Sequence, residues 1–207
     1  FLIDERWDRL TKWLGTVSAY PTENVDLAGV DGIDDWIGRL QSAGHYVSCS
    51  SGTTGKAAML IASQKDMEWA AREGVAACCW GAGIEAAQDR IIFGIAPVAE
   101  APRNLIMRDA LYAAFAIPGS ERFAYPVPKI TIGSVTRMIA LRKAIADGTA
   151  RPNEIAEFER NSAERQAAVD AAAGVTAEAL IAARHEKLYI SGFWAALYGA
   201  AKEVRAR

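Results

Sequence analysis

The chain contains the run Ser50-Ser51-Gly52-Thr53-Thr54-Gly55-Lys56 between two short segments with strand character. Glycine lacks a Cβ, so Gly52 and Gly55 allow the backbone to turn tightly and to come close to a ligand. The backbone N–H groups and hydroxyls of such a run can donate to phosphate oxygens, and Lys56 adds a positive charge for the same anion. The run therefore predicts a loop that grips a polyphosphate.

The segments on either side indicate which kind of phosphate loop this is. A Walker loop has four residues between its first glycine and its Gly-Lys pair, and Ser or Thr and a helix follow. Here two residues separate the two glycines, and Ala57 follows Lys56. Residues 45–50 and 57–62 both have strand character, the second because it is short and apolar. The pattern predicts strand–loop–strand, which argues against a P-loop kinase or GTPase.

With this run the chain resembles the adenylate-forming (AMP-binding) superfamily, whose signature is Thr/Ser-Ser-Gly-Thr-Thr-Gly-Lys-Pro-Lys. The form found here is most similar to that of phenylacetate-CoA ligase-like aryl- and acyl-CoA ligases. The order of elements expected after the loop is also similar: a long helix, a buried strand and another helix. Ala57 and Ala58 stand where the family has Pro-Lys, so the second lysine of the signature is missing.

The resemblance implies an ATP-dependent carboxylic acid:CoA ligase that activates an aryl or acyl acid through an acyl-adenylate. It implies ATP, Mg²⁺ and coenzyme A as cofactors and a small-molecule carboxylic acid as the substrate. Thr53, Thr54 and Lys56 would contact the β- and γ-phosphates of ATP. Ser50 and Ser51 would anchor the loop and cap free backbone groups.

The family's later motifs are not found within the 207 residues. These are the Tyr-Gly-x-Thr-Glu stretch near adenine and Mg²⁺, the ribose-binding Asp, and the Gly-x-x-x-x-Lys of the mobile C-terminal domain. We therefore expect an amino-terminal portion of an AMP-forming acid–CoA ligase, inert by itself. The start at Phe1, with no initiator Met and no signal peptide, also suggests a chain cut from a longer one. The acid is expected near the strand ends at 95–97 and 130–132.

A second hypothesis is a non-catalytic α/β binding or structural module. Runs of Gly, Ser and Thr between two strands are common in surface turns that hold no ligand. On this hypothesis the loop is only a hairpin, and the helices of the chain hold its partners. An ATP-induced shift in melting temperature would separate the two hypotheses, because a ligand bound only by the folded state stabilises that state.

Composition excludes several other classes of protein. The chain is 51% hydrophobic and 23% charged with a net charge of -2, so there is no basic face for nucleic acid or an anionic membrane. No stretch approaches the roughly 20 apolar residues that cross a bilayer. Three cysteines without framework spacing fit a reducing compartment, so we expect a cytoplasmic protein. Two histidines argue against a histidine-rich metal site, and a homodimer is left open.

The alternation of strand and helix patterns predicts an α/β fold with helix-rich layers around a short, largely parallel sheet. We expect one α/β region over 1–207, as an incomplete amino-terminal part of the adenylate-forming fold. Its parts are a helical lead-in (1–44), a phosphate-loop and sheet core (45–150), a solvated helical excursion (151–175) and a closing helix–strand–helix (176–207).

Local patterns also predict individual elements. Ser63 is expected to cap a helix through Trp80, and Thr176 to cap a later one. The other predicted elements are strands at 90–97, 129–132 and 188–190, and helices over 103–115, from 134 to a stop at 148, and from 193.

Overall fold

The computed structural model describes residues 4–50 and 58–207, which form a mixed α/β structure. The described helices are α1 (Trp7–Val17), α2 (Gly32–Ser42), α3 (Gln64–Ala82), α4 (Pro102–Phe115), α5 (Ile132–Ala146), α6 (Pro152–Ala182) and α7 (Trp194–Ala206). The described strands are β1 (His45–Cys49), β2 (Met59–Ser63), β3 (Ile91–Ile95), β4 (Phe123–Ala124) and β5 (Leu188–Gly192). The general prediction of an α/β fold is confirmed.

The strands form two separate sheets in two compact units. Strands β1 and β2 make an antiparallel pair, and β4, β3 and β5 make a parallel sheet in that order. The antiparallel pair belongs to unit 1 and the parallel sheet to unit 2. Unit 1 consists of Phe1–Ala76, Ala99–Ala110 and Ile130–Thr149; unit 2 consists of Ala77–Val98, Leu111–Lys129 and Ala150–Arg207.

The core of unit 1 lies where α1, α2 and β1 meet. Trp36 is fully buried, and its indole N–H donates to the hydroxyl of Thr11 at 2.8 Å. Trp7 stacks on Trp36 with ring centroids 5.8 Å apart. Leu14 and Val47 are also fully buried in this cluster. Burying a large apolar side chain stabilises a fold by about 1.5–3 kcal/mol, so this cluster holds β1 firmly against the helices.

In unit 2, strand β3 is buried on both faces, as its continuous apolar sequence predicts. Ile92 packs in a cluster with Tyr112 and Phe115, whereas Phe93 and Ile95 pack in a second cluster. Successive side chains of a strand point to opposite faces, so the alternation of β3 between the two clusters follows from its geometry. Covered on both faces, β3 forms the centre of the parallel sheet.

The predicted strand at 129–132 is wrong. Ile130 makes only an isolated bridge to Ala99, and Ile132 already belongs to α5. Thr131 caps this helix: its hydroxyl accepts from the Ser134 N–H at 3.0 Å, and the Ser134 hydroxyl accepts from the Thr131 N–H at 3.1 Å. This reciprocal cap satisfies backbone donors that a strand would have to pair elsewhere. The cap at Thr131 therefore outweighs the strand preference of Ile130 and Ile132, and a helix forms in place of the strand.

The predicted helix start at Thr176 is also wrong. The helix α6 runs without interruption from Pro152 to Ala182, and Thr176 is buried inside it. Its hydroxyl donates to the carbonyl of Ala172 at 2.7 Å. Threonine can satisfy its hydroxyl in this way within a helix, so a cap-like residue need not mark a boundary. The amino-terminal part of α6 is largely exposed, in agreement with its charged sequence.

Close approach between β3 and β5 makes Gly192 sensitive to substitution. A Cβ at this position would overlap the backbone carbonyl of Ile95, which cannot rotate away. We expect Gly192→Ala to lower the free energy of unfolding by about 1–3 kcal/mol, the usual cost of overpacking. Urea unfolding followed by circular dichroism measures this change.

The matched control is Gly81→Ala, in the part of α3 that belongs to unit 2. No heavy atom lies within 4 Å of a Cβ built at Gly81, so there is room for the methyl group. Alanine is favoured over glycine inside a helix by up to about 1 kcal/mol, so this variant should be as stable as the wild type or slightly more stable. Equal losses in both variants would contradict the tight contact at Gly192.

Candidate functional site

The candidate loop connects two antiparallel strands. The pairing of β1 with β2 runs from His45 opposite Ser63 to Cys49 opposite Met59. The first helix after the loop, α3, begins only at Gln64, after β2 is complete. The predicted strand–loop–strand arrangement is confirmed, and a Walker arrangement, in which a helix follows the loop directly, is excluded.

Ser50 closes the hairpin at the base of the loop. Its N–H donates to the carbonyl of Ala58 at 2.9 Å, and the N–H of Ala58 donates to the Ser50 hydroxyl at 2.9 Å. The two bonds use the backbone of Ser50 and its side chain together, which extends the strand pairing by one residue pair. Ser50 therefore makes the anchoring contacts expected of it, and its contact with phosphate stays a prediction.

The other predicted site residues lie outside the described residues. These are Ser51, Gly52, Thr53, Thr54, Gly55 and Lys56. What the structure describes is the frame from which this loop extends. The distance that the loop must bridge is set by the Ser50–Ala58 pair, because these residues are hydrogen-bonded to each other.

Burial along the hairpin changes from one end to the other. At the end away from the loop, His45, Tyr46 and Val47 are buried on β1, and Ala62 and Ser63 are buried on β2. Toward the loop the burial falls, and both Ser50 and Ala58 are exposed. The hairpin is thus fixed at one end and open to solvent at the end that carries the loop.

Both faces of the hairpin are packed near its fixed end. Val47 is fully buried in the cluster that also contains Trp36. Tyr46 faces a second cluster, where Met67 is 1% exposed. The hydroxyl of Tyr46 donates to the side-chain oxygen of Gln64. Packing on two faces restricts tilting of the hairpin, so the base of the loop has a defined position within unit 1.

Cys49 is the cysteine nearest to the loop in the sequence. It is partly buried against the unit 1 core, and this burial raises the pKa of its thiol. A raised pKa disfavours the thiolate, which is the form that attacks electrophiles and binds metals. Cys49 is therefore suited to packing, and the candidate site has to act through its hydroxyl groups and lysine.

His45 is a buried polar residue to which the sequence pattern assigned no role. It is 5% exposed, and its Nδ1 has no hydrogen-bond partner among the described residues. Across residues 4–50 and 58–207, no three His, Cys, Asp or Glu side chains lie together as metal ligands would. His45 therefore has no chemical role that can be derived from its surroundings.

Ser63 and Asp66 connect β2 to α3. The Ser63 N–H and hydroxyl both donate to Oδ2 of Asp66 at 2.8 Å, and the Asp66 N–H donates to the Ser63 hydroxyl at 3.2 Å. Ser63 therefore caps α3, as its position in the sequence predicts, and the bonds it exchanges with Asp66 form a capping box. The bonds that Asp66 accepts from the backbone and side chain of Ser63 lower the pKa of its carboxyl group.

The strand ends expected to lie near the acid fall in different units. Ile95 ends β3 in unit 2, and residues 130–132 belong to unit 1. Ile132 is the first residue of α5, so only the first of these segments is a strand end. The location of the acid stays a prediction.

Comparison with family models, curated proteins and solved structures gave no match to this chain. None of the helices in the described ranges has the length and apolar character needed to cross a bilayer.

Removing the cap should destabilise the segment that follows the hairpin. We expect Ser63→Ala to lower the free energy of unfolding by about 1 kcal/mol, because the first turn of α3 loses its side-chain acceptor. Chemical denaturation measures the loss, and Ser63→Thr, which keeps the hydroxyl, should recover most of it. A Ser63→Ala variant as stable as the wild type would show that the cap contributes nothing.

The Asp66 carboxyl predicts a dependence of stability on pH. The hydrogen bonds from Ser63 hold the pKa of this carboxyl group below its ordinary value in the folded state. Its stabilising effect is therefore present above about pH 4 and is lost as the pH falls through the folded-state pKa. The stability difference between wild type and Asp66→Asn should therefore be largest near neutral pH and shrink in acid. A difference that stays constant from neutral to acidic pH would contradict this.

Proposed function

We propose that this chain is the amino-terminal portion of an ATP-dependent carboxylic acid:CoA ligase, which activates an aryl or acyl acid as an acyl-adenylate. The observation that carries the proposal is the position of the signature loop at the end of a hairpin. The loop extends from the exposed end of a hairpin whose other end is buried, and the hydrogen-bonded pair Ser50 and Ala58 fixes its two ends. The residues at the base of the loop are therefore accessible to an anion from solvent.

The proposed contacts follow from the chemistry of the loop residues. Lys56 contributes a positive charge, and the hydroxyls of Thr53 and Thr54 donate to the β- and γ-phosphate oxygens. Hydrogen bonds to charged groups contribute about 1.5–3 kcal/mol each, so a few of them suffice for micromolar to millimolar binding. Because Ser50 and Ala58 are already hydrogen-bonded to each other, binding of the nucleotide does not have to order these two residues.

In the proposed reaction, a carboxylate oxygen of the acid attacks the α-phosphorus of ATP. The bond to the bridging oxygen of pyrophosphate breaks, and pyrophosphate leaves. The thiol of coenzyme A then attacks the acyl carbonyl, and AMP leaves. Negative charge builds on the pyrophosphate during the first step, and stabilising such developing charge is a main source of catalysis in phosphoryl chemistry. The loop contributes at this point, and Mg²⁺ bound with ATP would add charge neutralisation.

The order of elements supports the finer fold assignment as well. The hairpin is followed by a long helix (α3), a strand buried on both faces (β3) and a further helix (α4). This is the order that the resemblance implies for the adenylate-forming fold. On this proposal the groups that seat adenine, ribose and Mg²⁺ belong to other parts of the parent enzyme, so the isolated chain should not catalyse adenylation.

The second candidate is a non-catalytic α/β module whose loop binds no nucleotide. It is favoured by Ala58, which occupies the position of the second lysine of the signature and uses its N–H to close the hairpin. With one lysine in place of two, the loop has less positive charge for a triphosphate. Direct measurement of ATP binding separates the two candidates.

Lys56 is the residue whose loss should affect nucleotide binding most. We expect Mg²⁺–ATP to raise the melting temperature of the wild-type chain, since a ligand bound by the folded state stabilises it. Lys56→Ala should weaken ATP binding about tenfold or more, because one charge-assisted contact is lost. Isothermal titration calorimetry gives the affinities of both proteins.

The matched control is Lys65→Ala, which removes the same charge from an exposed position on α3. This variant should bind ATP as the wild type does. Equal weakening in both lysine variants would mean that only overall charge matters. A wild-type chain whose melting temperature is unaffected by ATP would favour the non-catalytic module.

The catalytic part of the proposal is tested by exchange of isotope between pyrophosphate and ATP. The isolated chain should show no exchange with any carboxylic acid, whereas the parent enzyme should show it with its substrate. Lys56→Ala in the parent should lower kcat/KM for ATP. Robust exchange by the isolated chain would refute the claim that essential groups lie elsewhere.

A further inference from the structure

The outer edge of the parallel sheet in unit 2 is a strand without a described neighbour. β5 pairs with β3 on one side, and the sheet ends there. The Ile91 N–H donates to the carbonyl of Lys187 at 2.9 Å. Because backbone groups alternate along a strand, Leu188, Ile190 and Gly192 direct their N–H and C=O groups to the free edge.

Strand β5 lacks the charged residues and proline that often prevent an edge strand from pairing with another strand. Natural edge strands are protected by charged residues, proline or bulges. The sequence of β5, Leu188–Gly192, contains neither charge nor proline, and Ile190 is 43% exposed. The opposite edge of the sheet differs, since β4 has only two residues and Pro126 follows shortly after it. Among the described strands of this sheet, β5 therefore offers the longer edge for pairing.

Three exposed aromatic residues follow β5 closely in the sequence. Phe193, Trp194 and Tyr198 are 63%, 79% and 60% exposed, and the rings of Trp194 and Tyr198 stack with centroids 6.2 Å apart. From the typical size of aromatic side chains, the three expose roughly 450 Å² together. That is about half of the roughly 800 Å² that each partner buries in a standard interface, and a paired strand edge would add to it.

We propose that β5 pairs with β5 of a second copy of this chain, antiparallel about a two-fold axis at Ile190. In this register Leu188 of one copy lies opposite Gly192 of the other. The outward-facing backbone groups then meet outward-facing groups of the second copy, so each of them finds a partner. The pairing uses the same surface on both copies and therefore closes as a dimer.

The residues that flank β5 favour this register. Phe193 of one copy falls opposite Lys187 of the other, which brings an aromatic ring close to a cation. Lys187 is held by Asp89, whose carboxylate accepts from its ammonium group at 2.7 Å. Because Phe193 is uncharged, this register places no like charge opposite Lys187 at either end of the paired strands. The proposed pairing uses residues of unit 2, whereas the loop at 50–56 belongs to unit 1.

Sedimentation equilibrium over a wide range of protein concentration tests the dimer. The wild-type chain should have the mass of two chains at high concentration. Ile190→Lys places two like charges together at the two-fold axis, and we expect it to weaken dimerisation at least tenfold. The matched control is Ile117→Lys, because Ile117 is similarly exposed, at 38%. Its N–H donates to the carbonyl of Arg90, just before β3, on the side of that strand opposite to β5. This control should remain dimeric.

Hydrogen exchange shows whether the strand edge itself is paired. The amides of Ile190 and Gly192 face outward and should be protected only in the dimer, whereas those of Tyr189 and Ser191 face β3 and should be protected in both states. Trp194→Ala, a second variant at an exposed side chain, should also weaken dimerisation. A monomeric wild type at all concentrations overturns the proposal. The proposal is also overturned if Ile190→Lys remains dimeric and the Gly192 amide of the wild-type dimer exchanges rapidly.

Discussion

The candidate site depends on the hydrogen bonding between β1 and β2. This pairing is buried at one end, and Ser50 and Ala58 extend it at the other. Without it, the run from Ser51 to Lys56 would have no defined ends. The buried end is held by apolar packing on both faces, where Val47 and Met67 lie in separate clusters. Packing far from the loop thus determines where the loop begins and ends.

Hydroxyl groups determine how the elements around the hairpin begin. Ser63 joins β2 to α3 by exchanging hydrogen bonds with Asp66, and Thr131 starts α5 by exchanging them with Ser134. Each of these caps satisfies helix N–H groups that have no partner within the helix. The same residue type inside a helix behaves differently, since Thr176 turns its hydroxyl back to Ala172. Position within the element therefore decides what a hydroxyl does.

The two sheets carry different properties. The antiparallel pair in unit 1 carries a loop whose composition suits phosphate, and Ser50 and Ala58 at the base of this loop are exposed. The parallel sheet in unit 2 presents an uncharged edge strand followed by exposed aromatic residues. Apolar exposure of this extent on a folded protein is a common mark of an interaction surface. The proposed nucleotide contacts and the proposed pairing of two copies thus depend on separate parts of the chain.

Local patterns in the sequence were sufficient for the hairpin, for the Ser63 cap and for the doubly buried strand β3, because each depends on residues close together in the chain. They were not sufficient for residues 130–132. The isoleucines there predict a strand, but Thr131 caps α5 and the helix begins at Ile132. Nor did they reveal β4, whose two residues pair with β3 across about 30 positions of sequence. The sequence by itself determined most of the element types and the composition of the candidate loop. Tertiary structure decided which strands share a sheet and which edge stays open, since pairing and burial depend on segments that no local pattern brings together.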